Sequence, residues 1–326
     1  MKEVQQNSNQ INYRKNYNDA DSGRIFLICL IAPFLVALLF SVIANSIADS
    51  KGVEVEAISS TLGYVIPFSI CNFLLYLGIY FVYNKTQKIQ LSAIKPKFKM
   101  KWHVYAIAIA VGVMCLFGIQ YFVGAVDNGL KALGYPIEEN LSTINPTGWG
   151  TYFLSIFLLA IIPAIGEELL FRGMILQGLR TRFNDAISIL LSAVMFALMH
   201  GNLQQLVYPF VLGTIMGWIA LRTGSLISSI VVHFTNNFLV VTFSFIKNMT
   251  GFSFALKDAW WFYLVAIGLL AVTLAICYLI DRFYFKHKSN EEVEKTSVKT
   301  SKYVYISLGV AFLLFLIMTV TKIVGV

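Results

Sequence analysis

The sequence predicts an all-α protein, a polytopic transmembrane helical bundle of about 8–9 spans around a buried polar cavity. Of its 326 residues, 57% are hydrophobic and only 13% are charged, whereas about a quarter are charged in a typical soluble domain. The apolar residues form runs of roughly 20, the length that a helix needs to cross a bilayer. This pattern excludes a soluble enzyme, and the 26 Phe and 16 Tyr exclude a disordered protein.

Nine apolar segments are candidate membrane spans. They cover residues 24–46, 61–83, 103–126, 151–171, 185–200, 203–221, 225–247, 259–281 and 303–325. The first follows a polar stretch, which differs from the basic leader and small-residue cleavage site of a secretory signal. We therefore expect this first span to be retained in the membrane.

Basic residues in the loops predict the orientation of the spans. Six lysines and no acid separate the second span from the third, and the turns around 180–182, 222 and 282–288 are also basic. The intervening loops are acidic or weakly charged. Because positive loops stay inside, this alternation places the N-terminus in the cytoplasm and the C-terminus outside. It also accounts for the net charge of +8, so no nucleic-acid partner is expected.

The four cysteines, Cys29, Cys71, Cys115 and Cys277, all fall within apolar spans. We expect them to be buried small hydrophobic residues. Their spacing matches no zinc-binding pattern. The composition, rich in Lys, Asn and Ile, is typical of bacteria, so we expect an integral protein of the bacterial cytoplasmic membrane with the lipid bilayer as its partner.

Ionisable residues inside membrane spans are costly unless paired or hydrated, so they mark candidate functional sites. Here they concentrate in PAIGEELLFRG (163–173), FALMHGN (196–202) and HFTNN (233–237). On a helix, Glu168 and Arg172 stand at i and i+4 and can pair on one face. Glu167 is turned about 100° from Glu168 and is left to face elsewhere. The simplest alternative for the pair is an interfacial salt bridge that caps a span.

The second and third motifs repeat the i, i+4 spacing. Phe196 lies one turn before His200, and His233 lies one turn before Asn237. A single histidine in a span is usually structural. A catalytic role is favoured here because neighbouring spans carry two histidines, an unpaired glutamate and an asparagine.

Helix geometry predicts that the three motifs lie at one depth. Glu167 is 16 residues before the expected hairpin at Phe183, and His200 is 17 residues after it. On antiparallel helices both stand roughly 25 Å from the turn. His233 reaches the same depth if the segment 172–183 projects partly into the cytosol. The sequence therefore predicts one buried polar site.

The residue types at this site fit hydrolysis by activated water. One glutamate and two histidines are the ligand types of a zinc site and also those of a metal-free site, so Glu167, His200 and His233 are tentative ligands of a divalent metal such as zinc. In either case Glu167 is the candidate general base, acting on water held against His200. His233 and Asn237 are candidate donors to the oxyanion of an attacked amide.

The segments EELLFR (167–172), FALMH (196–200) and HFTNN (233–237) resemble the three motifs of the intramembrane CAAX-protease and bacteriocin-processing (CPBP, Abi-like) family. All three are complete, in order and on successive apolar segments. The resemblance covers about 150–250, under a third of the chain.

The resemblance implies catalytic roles for four residues, with the first glutamate and the second-motif histidine holding the water and the third motif forming the oxyanion hole. These residues are Glu167, His200, His233 and Asn237. Glu168, Arg172 and Phe196 would support the site. Members of the family are commonly classed as metalloproteases, although a metal-free glutamate mechanism has been argued, so the resemblance leaves the metal open.

The resemblance also implies an intramembrane endopeptidase whose partner is a peptide or a membrane-associated protein substrate. Some members remove the last three residues of prenylated CAAX proteins, and bacterial members are associated with peptide maturation and bacteriocin immunity. A CAAX substrate is not implied, because bacteria generally lack prenylated CAAX proteins. About eight spans are expected in the family's well-described endopeptidases, so either the last span here is an addition or one of the shorter candidate spans does not fully cross the membrane.

We divide the chain into four parts on this basis. They are a polar tail (1–23), N-terminal spans (24–149), a catalytic core (150–250) and C-terminal spans (251–326) with a charged connector (282–302). Two rival functions remain open. One is a noncatalytic immunity or scaffold protein, and the other is a proton-coupled transporter with Glu167 and the histidines as a relay. No repeats or paired broken helices support the transporter.

Overall fold

A computed structural model describes residues 16–89, 100–137, 144, 146–252, 260–284 and 300–324. Regular structure in these ranges is helical. The helices are α1 (Asp19–Lys51), α2 (Val55–Ser59), α3 (Leu62–Thr86), α4 (Trp102–Ala132), α5 (Trp149–Arg180), α6 (Asp185–Met199), α7 (Val207–Thr223), α8 (Leu226–Thr250), α9 (Trp260–Leu279, with a π-helical end Ile280–Tyr284) and α10 (Lys302–Val324). Each of the nine predicted spans coincides with a helix in this set.

The chain is an integral membrane protein with a helical bundle fold. Within the described ranges, six helices are long and apolar enough to cross a membrane by length and composition: α1, α3, α4, α5, α8 and α10. The apolar helices α6 and α7 have 15 and 17 residues, fewer than the roughly 20 that a perpendicular crossing needs. The number of spans, nine or eight, therefore stays a prediction.

Helix α1 begins earlier than the predicted span, at Asp19 instead of residue 24. Asn18 explains the start, because its side chain accepts a hydrogen bond from the Asp21 backbone N–H at 2.9 Å. The Asp21 carboxylate accepts in turn from the Asn18 backbone N–H at 3.0 Å. This reciprocal capping satisfies two donors that a helix start otherwise leaves unpaired. Residues 1–15 of the predicted tail and 285–299 of the predicted connector lie outside the described residues.

Helix α8 lies at the centre of the bundle, packed against α4, α5 and α7. Helices α6 and α7 pack against each other, α9 packs on α4, and α10 packs along α1 and also contacts α6. The three motifs lie on α5, at the end of α6 and on α8. The packing therefore brings them together in the interior of the bundle.

The end of α5 is buried against other helices. Residues 171–181 are all buried within the protein, and whether segment 172–183 projects partly into the cytosol stays a prediction. The cause is close contact with the start of α1, where the Ser22 hydroxyl donates to the Ile175 carbonyl oxygen at 2.7 Å. Only glycine fits at position 178, since a Cβ there would lie 2.3 Å from the Asn18 carbonyl oxygen.

The cysteines agree with expectation in three positions of four. Cys29, Cys115 and Cys277 are buried, whereas Cys71 is exposed on α3, so the predicted burial of Cys71 is wrong. An apolar span has a face turned outward as well as one turned inward, and the periodicity of α3 is too weak to separate them. All four are free thiols.

Candidate active site

Helix α5 carries both glutamates of the first motif in a regular α-helical stretch between two π-helical stretches. The π-helical residues are Ile156–Ile161 and Phe171–Ile175, and they flank Ile162–Leu170. Such stretches are rare and frequently occur at functional sites. The helix that bears Glu167 and Glu168 is therefore irregular on both sides of the motif.

Glu168 and Arg172 form the ion pair that their spacing predicts. Arg172 Nη1 lies 2.7 Å from Glu168 Oε1, and both side chains are fully buried. The pair is therefore enclosed by the protein, and its position relative to the membrane interface stays a prediction. Arg172 Nη2 also donates to the Gly213 carbonyl oxygen at 2.8 Å, and the guanidinium carbon lies 4.8 Å from the centre of the Phe196 ring. The cation is thus held from three sides.

Gly213, on α7, was not identified from the sequence. A Cβ at this position would lie 3.1 Å from Arg172 Nη2 and 3.2 Å from Phe196 Cδ1. Its missing side chain therefore lets α7 bring a backbone carbonyl to the buried guanidinium. The only signal in the sequence was a glycine inside an apolar run. Such a glycine does not by itself indicate which residue packs against it.

His233 is held by Glu168, a contact that the sequence did not predict. His233 Nδ1 lies 3.2 Å from Glu168 Oε1, the same oxygen that accepts from Arg172. Because a carboxylate oxygen accepts, Nδ1 carries the proton in this contact. The other ring nitrogen, Nε2, lies 3.9 Å from Glu167 Oε2. Glu168 thus links Arg172 to His233 instead of serving Arg172 alone.

Glu167 faces away from the ion pair, as its helical position predicts. Its side chain is 14% exposed, and among the described residues Oε2 is shielded from solvent and accepts no hydrogen bond. A buried acceptor of this kind is costly to leave unsatisfied. It is therefore a natural position for a bound water or a substrate N–H.

His200 closes α6 as its C-terminal cap residue. Its Nδ1 lies 2.9 Å from the Phe196 carbonyl oxygen. A carbonyl oxygen can only accept, so Nδ1 carries the proton and Nε2 of the neutral ring is an acceptor. The Phe196 ring lies 5.0 Å from the His200 ring and 6.1 Å from the His233 ring, centre to centre. Phe196 therefore packs against both imidazoles and the guanidinium.

Asn237 lies one turn after His233 on α8. Its Nδ2 donates to the Leu159 carbonyl oxygen at 3.1 Å, and its Oδ1 accepts from Asn236 Nδ2 at 3.3 Å. The Leu159 carbonyl oxygen is available because residue 163, four positions later on α5, is a proline with no backbone N–H to donate to it. The second N–H of the Asn237 amide remains for another acceptor.

The four predicted catalytic residues border one cavity of about 320 Å³. Phe196 lines it as well, whereas Glu168 and Arg172 lie behind it. The remaining lining residues are Leu159, Pro163, Gln205, Tyr208, Pro209 and Leu212. The sequence analysis did not identify Gln205 and Tyr208 as site residues. Polar residues are common at the start of a membrane span, so these two carried no distinct signal.

The three tentative zinc ligands line one cavity. Among the described residues, no group of three or more His, Cys, Asp or Glu side chains is arranged to hold a metal ion. Glu167, His200 and His233 line the same cavity without converging on one metal position. Their roles, with or without a metal, stay predictions.

Two comparisons with known proteins bear on this site. Residues 149–239 match the family model described as type II CAAX prenyl endopeptidase Rce1-like. The UPF0177 protein YxdF of Lactococcus lactis subsp. lactis (strain IL1403) is 27% identical over 132 residues, which cover 38% of this chain and 73% of that protein. No solved structure is significantly similar to the chain.

The matched segment contains α5, α6, α7 and the first half of α8, and so all three motifs. This segment of the chain is therefore similar to the type II CAAX prenyl endopeptidase Rce1-like family, which agrees with the resemblance of the motifs. Helices α1 to α4, α9 and α10 lie outside the match.

Proposed function

We propose that the protein is an intramembrane endopeptidase that hydrolyses a peptide bond with Glu167 as general base. One observation carries the proposal. Glu167 Oε2, which accepts no hydrogen bond among the described residues, and the acceptor nitrogen of His200 border the same cavity as two candidate donors, on His233 and Asn237. Water activation needs the first pair of groups, and oxyanion stabilisation needs the second.

The attacking water is oriented by the two acceptors. Glu167 Oε2 and His200 Nε2 each accept one of its hydrogens, which turns the oxygen lone pair toward the carbonyl carbon of the substrate. As the new C–O bond forms, one water proton passes to the Glu167 carboxylate. His200 keeps its Nδ1–H on the Phe196 carbonyl oxygen, which leaves Nε2 as the acceptor of the neutral ring.

Charge balance assigns the second histidine a different state. Arg172 and Glu168 cancel each other, so an ionised Glu167 would leave the buried cluster with a net negative charge. A proton shared by the Glu167–His233 pair restores neutrality, which a low-dielectric interior favours. With this proton on His233, Nδ1–H donates to Glu168 and Nε2–H faces the cavity.

His233 Nε2–H and the Asn237 amide N–H then stabilise the oxyanion of the tetrahedral intermediate. Donors fixed in advance in a site shielded from water supply a large share of catalysis in acyl transfer. Collapse of the intermediate breaks the C–N bond. Glu167 returns its proton to the leaving nitrogen, which regenerates the carboxylate and releases an acid and an amine.

We further propose a peptide or membrane-associated protein as substrate. The bacterial cytoplasmic membrane is the proposed location, and the cytoplasm the proposed side of the N-terminus. The depth of the cavity in the bundle supports a substrate that reaches the site within or at the edge of the bilayer.

The proposal is tested by Glu167→Gln, which keeps the size of the side chain and removes the base. We expect cleavage to fall by about 10²–10⁴-fold while the protein remains inserted and folded. The measurement is a comparison of peptide termini in membrane and secreted fractions from wild-type and variant cells. Glu54→Gln is the matched control, because Glu54 is an exposed glutamate outside the site.

Termini that persist unchanged in the Glu167→Gln cells would overturn the proposal. A phenotype that wild type and Glu167→Gln restore equally well would instead favour a noncatalytic immunity or scaffold protein. Substrate-dependent proton flux in proteoliposomes would favour the transporter.

A further inference from the structure

Tyr208 and Asn236 form a hydrogen-bonded pair beside the cavity, and the proposed mechanism does not use either residue. Tyr208 lies at the start of α7 and lines the cavity, and Asn236 on α8 is 1% exposed. The Tyr208 hydroxyl donates to Asn236 Oδ1 at 2.5 Å. Asn236 Nδ2 donates in turn to Asn237 Oδ1 at 3.3 Å. The pair therefore ends on the amide of a candidate oxyanion donor.

One backbone carbonyl fixes the direction of every hydrogen bond in this chain of groups. The Leu159 carbonyl oxygen can only accept, so the Asn237 nitrogen, 3.1 Å away, must face it. The Asn237 oxygen is then turned toward Asn236, which must present its own nitrogen. The Asn236 oxygen is turned in the same way toward Tyr208, whose hydroxyl must donate. The chain thus links α5, α8 and α7 with a single polarity.

The Asn237 amide is held at both of its polar atoms. Its oxygen accepts from Asn236, and one of its N–H groups donates to Leu159. Because an amide is planar, these two contacts fix the direction of the remaining N–H. A donor fixed in advance where charge develops costs no reorganisation at the moment of reaction. Without Asn236, the Asn237 amide would keep only one of the two hydrogen bonds and could rotate about it.

A second tyrosine–asparagine pair has the same construction but lies away from the cavity. The Tyr17 hydroxyl donates to Asn84 Oδ1, and Asn84 Nδ2 donates to the Tyr80 carbonyl oxygen at 2.6 Å. Asn84 is 5% exposed, close to the burial of Asn236. This pair ends on a backbone carbonyl of its own helix, whereas the Tyr208–Asn236 pair ends on a side chain that lines the cavity. The two pairs should contribute similarly to stability and differ in what they position.

We propose that Asn236 and Tyr208 are positioning residues of the oxyanion site, which hold the Asn237 amide with its remaining N–H toward the substrate carbonyl. The inference rests on the proposed function, because Asn237 serves there as an oxyanion donor. Asn236 acts directly on Asn237, and Tyr208 acts through Asn236. Neither positioning residue gains or loses a proton in the reaction.

The first experiment observes the Asn237 amide directly and needs no substrate. The full-length chain is labelled with heavy-nitrogen asparagine and placed in nanodiscs, and its side-chain signals are followed by nuclear magnetic resonance. Those of Asn237 are assigned by their loss in Asn237→Ala. We expect the Asn237 side-chain protons to exchange with solvent about tenfold faster in Asn236→Leu than in wild type, the effect of losing one hydrogen bond. Tyr208→Phe should act in the same direction and more weakly, by about threefold.

The second experiment separates positioning from general support of the fold by a double-mutant cycle. The probe is a synthetic peptide that spans the site whose terminus is lost in Glu167→Gln cells. Asn236→Leu should lower kcat about tenfold with KM little changed, because the oxyanion exists only in the transition state and the intermediate. In a chain that already carries Asn237→Ala, the same substitution should lower kcat by no more than about twofold, since no amide is left to hold.

The second tyrosine–asparagine pair supplies the matched controls. Asn84→Leu is the control for Asn236→Leu, and Tyr17→Phe is the control for Tyr208→Phe, because each removes the same kind of contact away from the cavity. The controls should lower thermal stability about as much as the site variants and leave both kcat and the Asn237 exchange rate at wild-type values. If Asn236→Leu does not fold in nanodiscs, Tyr208→Phe supplies both measurements, because it removes only one hydroxyl.

Unchanged exchange of the Asn237 protons in both site variants would overturn the assignment. So would a loss of kcat in Asn84→Leu as large as that in Asn236→Leu, or an undiminished loss in the Asn237→Ala chain, since either would indicate a general effect on the fold. Faster Asn237 exchange in a protein for which no cleavage is found would support the positioning of Asn237 and count against the endopeptidase. Failure of the inference and failure of the proposed function are therefore distinguishable.

Discussion

The inner helices α5 and α8 differ from the outer helices α1 and α10 in what their apolar residues contact. Over their most apolar stretches, 44% of the residues of α5 and of α8 are buried in the protein, against 22% in α1 and in α10. Both pairs consist of apolar helices, with a mean hydropathy of 2.0 in α5 and 1.6 in α8, against 2.9 in α1 and 2.3 in α10. The outer pair turns side chains such as Leu35, Leu39 and Phe312 outward, whereas the inner pair surrounds charged groups.

The difference separates two kinds of constraint on an apolar sequence. Lipid-facing positions need only hydrophobicity, because lipid tails adapt to any apolar surface. Interior positions need shape, charge balance and hydrogen-bond partners, because association inside a membrane relies on packing and polar contacts. Substitutions of the same chemical kind should therefore have large effects on the inner helices and small effects on the outer ones.

The largest expected contrast is between two arginines. Arg172→Met leaves the fully buried Glu168 without its cation, and breaking a buried pair in this way costs about 3–5 kcal/mol. Arg24→Met on α1 removes a side chain that is 41% exposed and 4.0 Å from Asp21, so about 1 kcal/mol or less is expected. Thermal or denaturant unfolding in nanodiscs measures both, and equal losses would contradict the contrast.

Loss of the Glu168 charge should lower both stability and activity, because it leaves the fully buried Arg172 without its anion, at a cost of about 3–5 kcal/mol, and also weakens the contact with His233. Glu168→Gln keeps the size of the side chain but replaces a charge-assisted contact with His233 by a neutral one, which destabilises the protonated imidazole. We expect kcat to fall about tenfold or more, with substrate binding little changed. The measurement is a steady-state assay on a substrate identified from the terminus comparison.

Glu56→Gln, at an exposed glutamate of the short helix α2, is the control for the Glu168 variant. A kcat that remains at the wild-type value in Glu168→Gln would show that Glu168 only supports the fold. An equal loss in the control would remove the link to His233.

The smallest expected contrast is between two helical glycines. Gly213→Ala places a methyl 3.1 Å from Arg172 Nη2 and 3.2 Å from the Phe196 ring, and such overpacking costs about 1–3 kcal/mol. Gly309→Ala on α10 meets no atom within 4 Å among the described residues and should be neutral or stabilising by up to about 1 kcal/mol. The same unfolding assay compares them, and a loss at Gly309 as large as that at Gly213 would contradict the packing explanation.

Much of the fold was predictable because membrane crossing leaves a strong signal in composition. The nine apolar segments all coincide with helices, and the i, i+4 spacing identified the Glu168–Arg172 pair and the separate direction of Glu167. The burial of segment 171–181 was not predictable, because it depends on contact with the start of α1. Cys71 shows the same limit, since an apolar helix does not reveal which face meets lipid.

The candidate site also has features that the sequence predicts and features that it does not. The identities of Glu167, His200, His233 and Asn237 come from motifs, since ionisable residues in an apolar span are rare and costly. The tautomers of His200 and His233 are set by their contacts with the Phe196 carbonyl oxygen and the Glu168 carboxylate. The close approach of α7 to Arg172 depends on the missing side chain of Gly213. None of these contacts has a signature in the spacing of one segment.

The sequence by itself determined that this chain is a helical membrane protein with three polar motifs, because hydrophobic run length and helical spacing are local properties of a chain. The tertiary structure decided that Glu168 joins Arg172 to His233, that Glu167 and His200 face one cavity, and that the hydroxyl of Tyr208 on α7 reaches Asn236 on α8. Residues separated by tens of positions make these contacts. Their meeting depends on how the helices pack, which the pattern within any single helix does not encode.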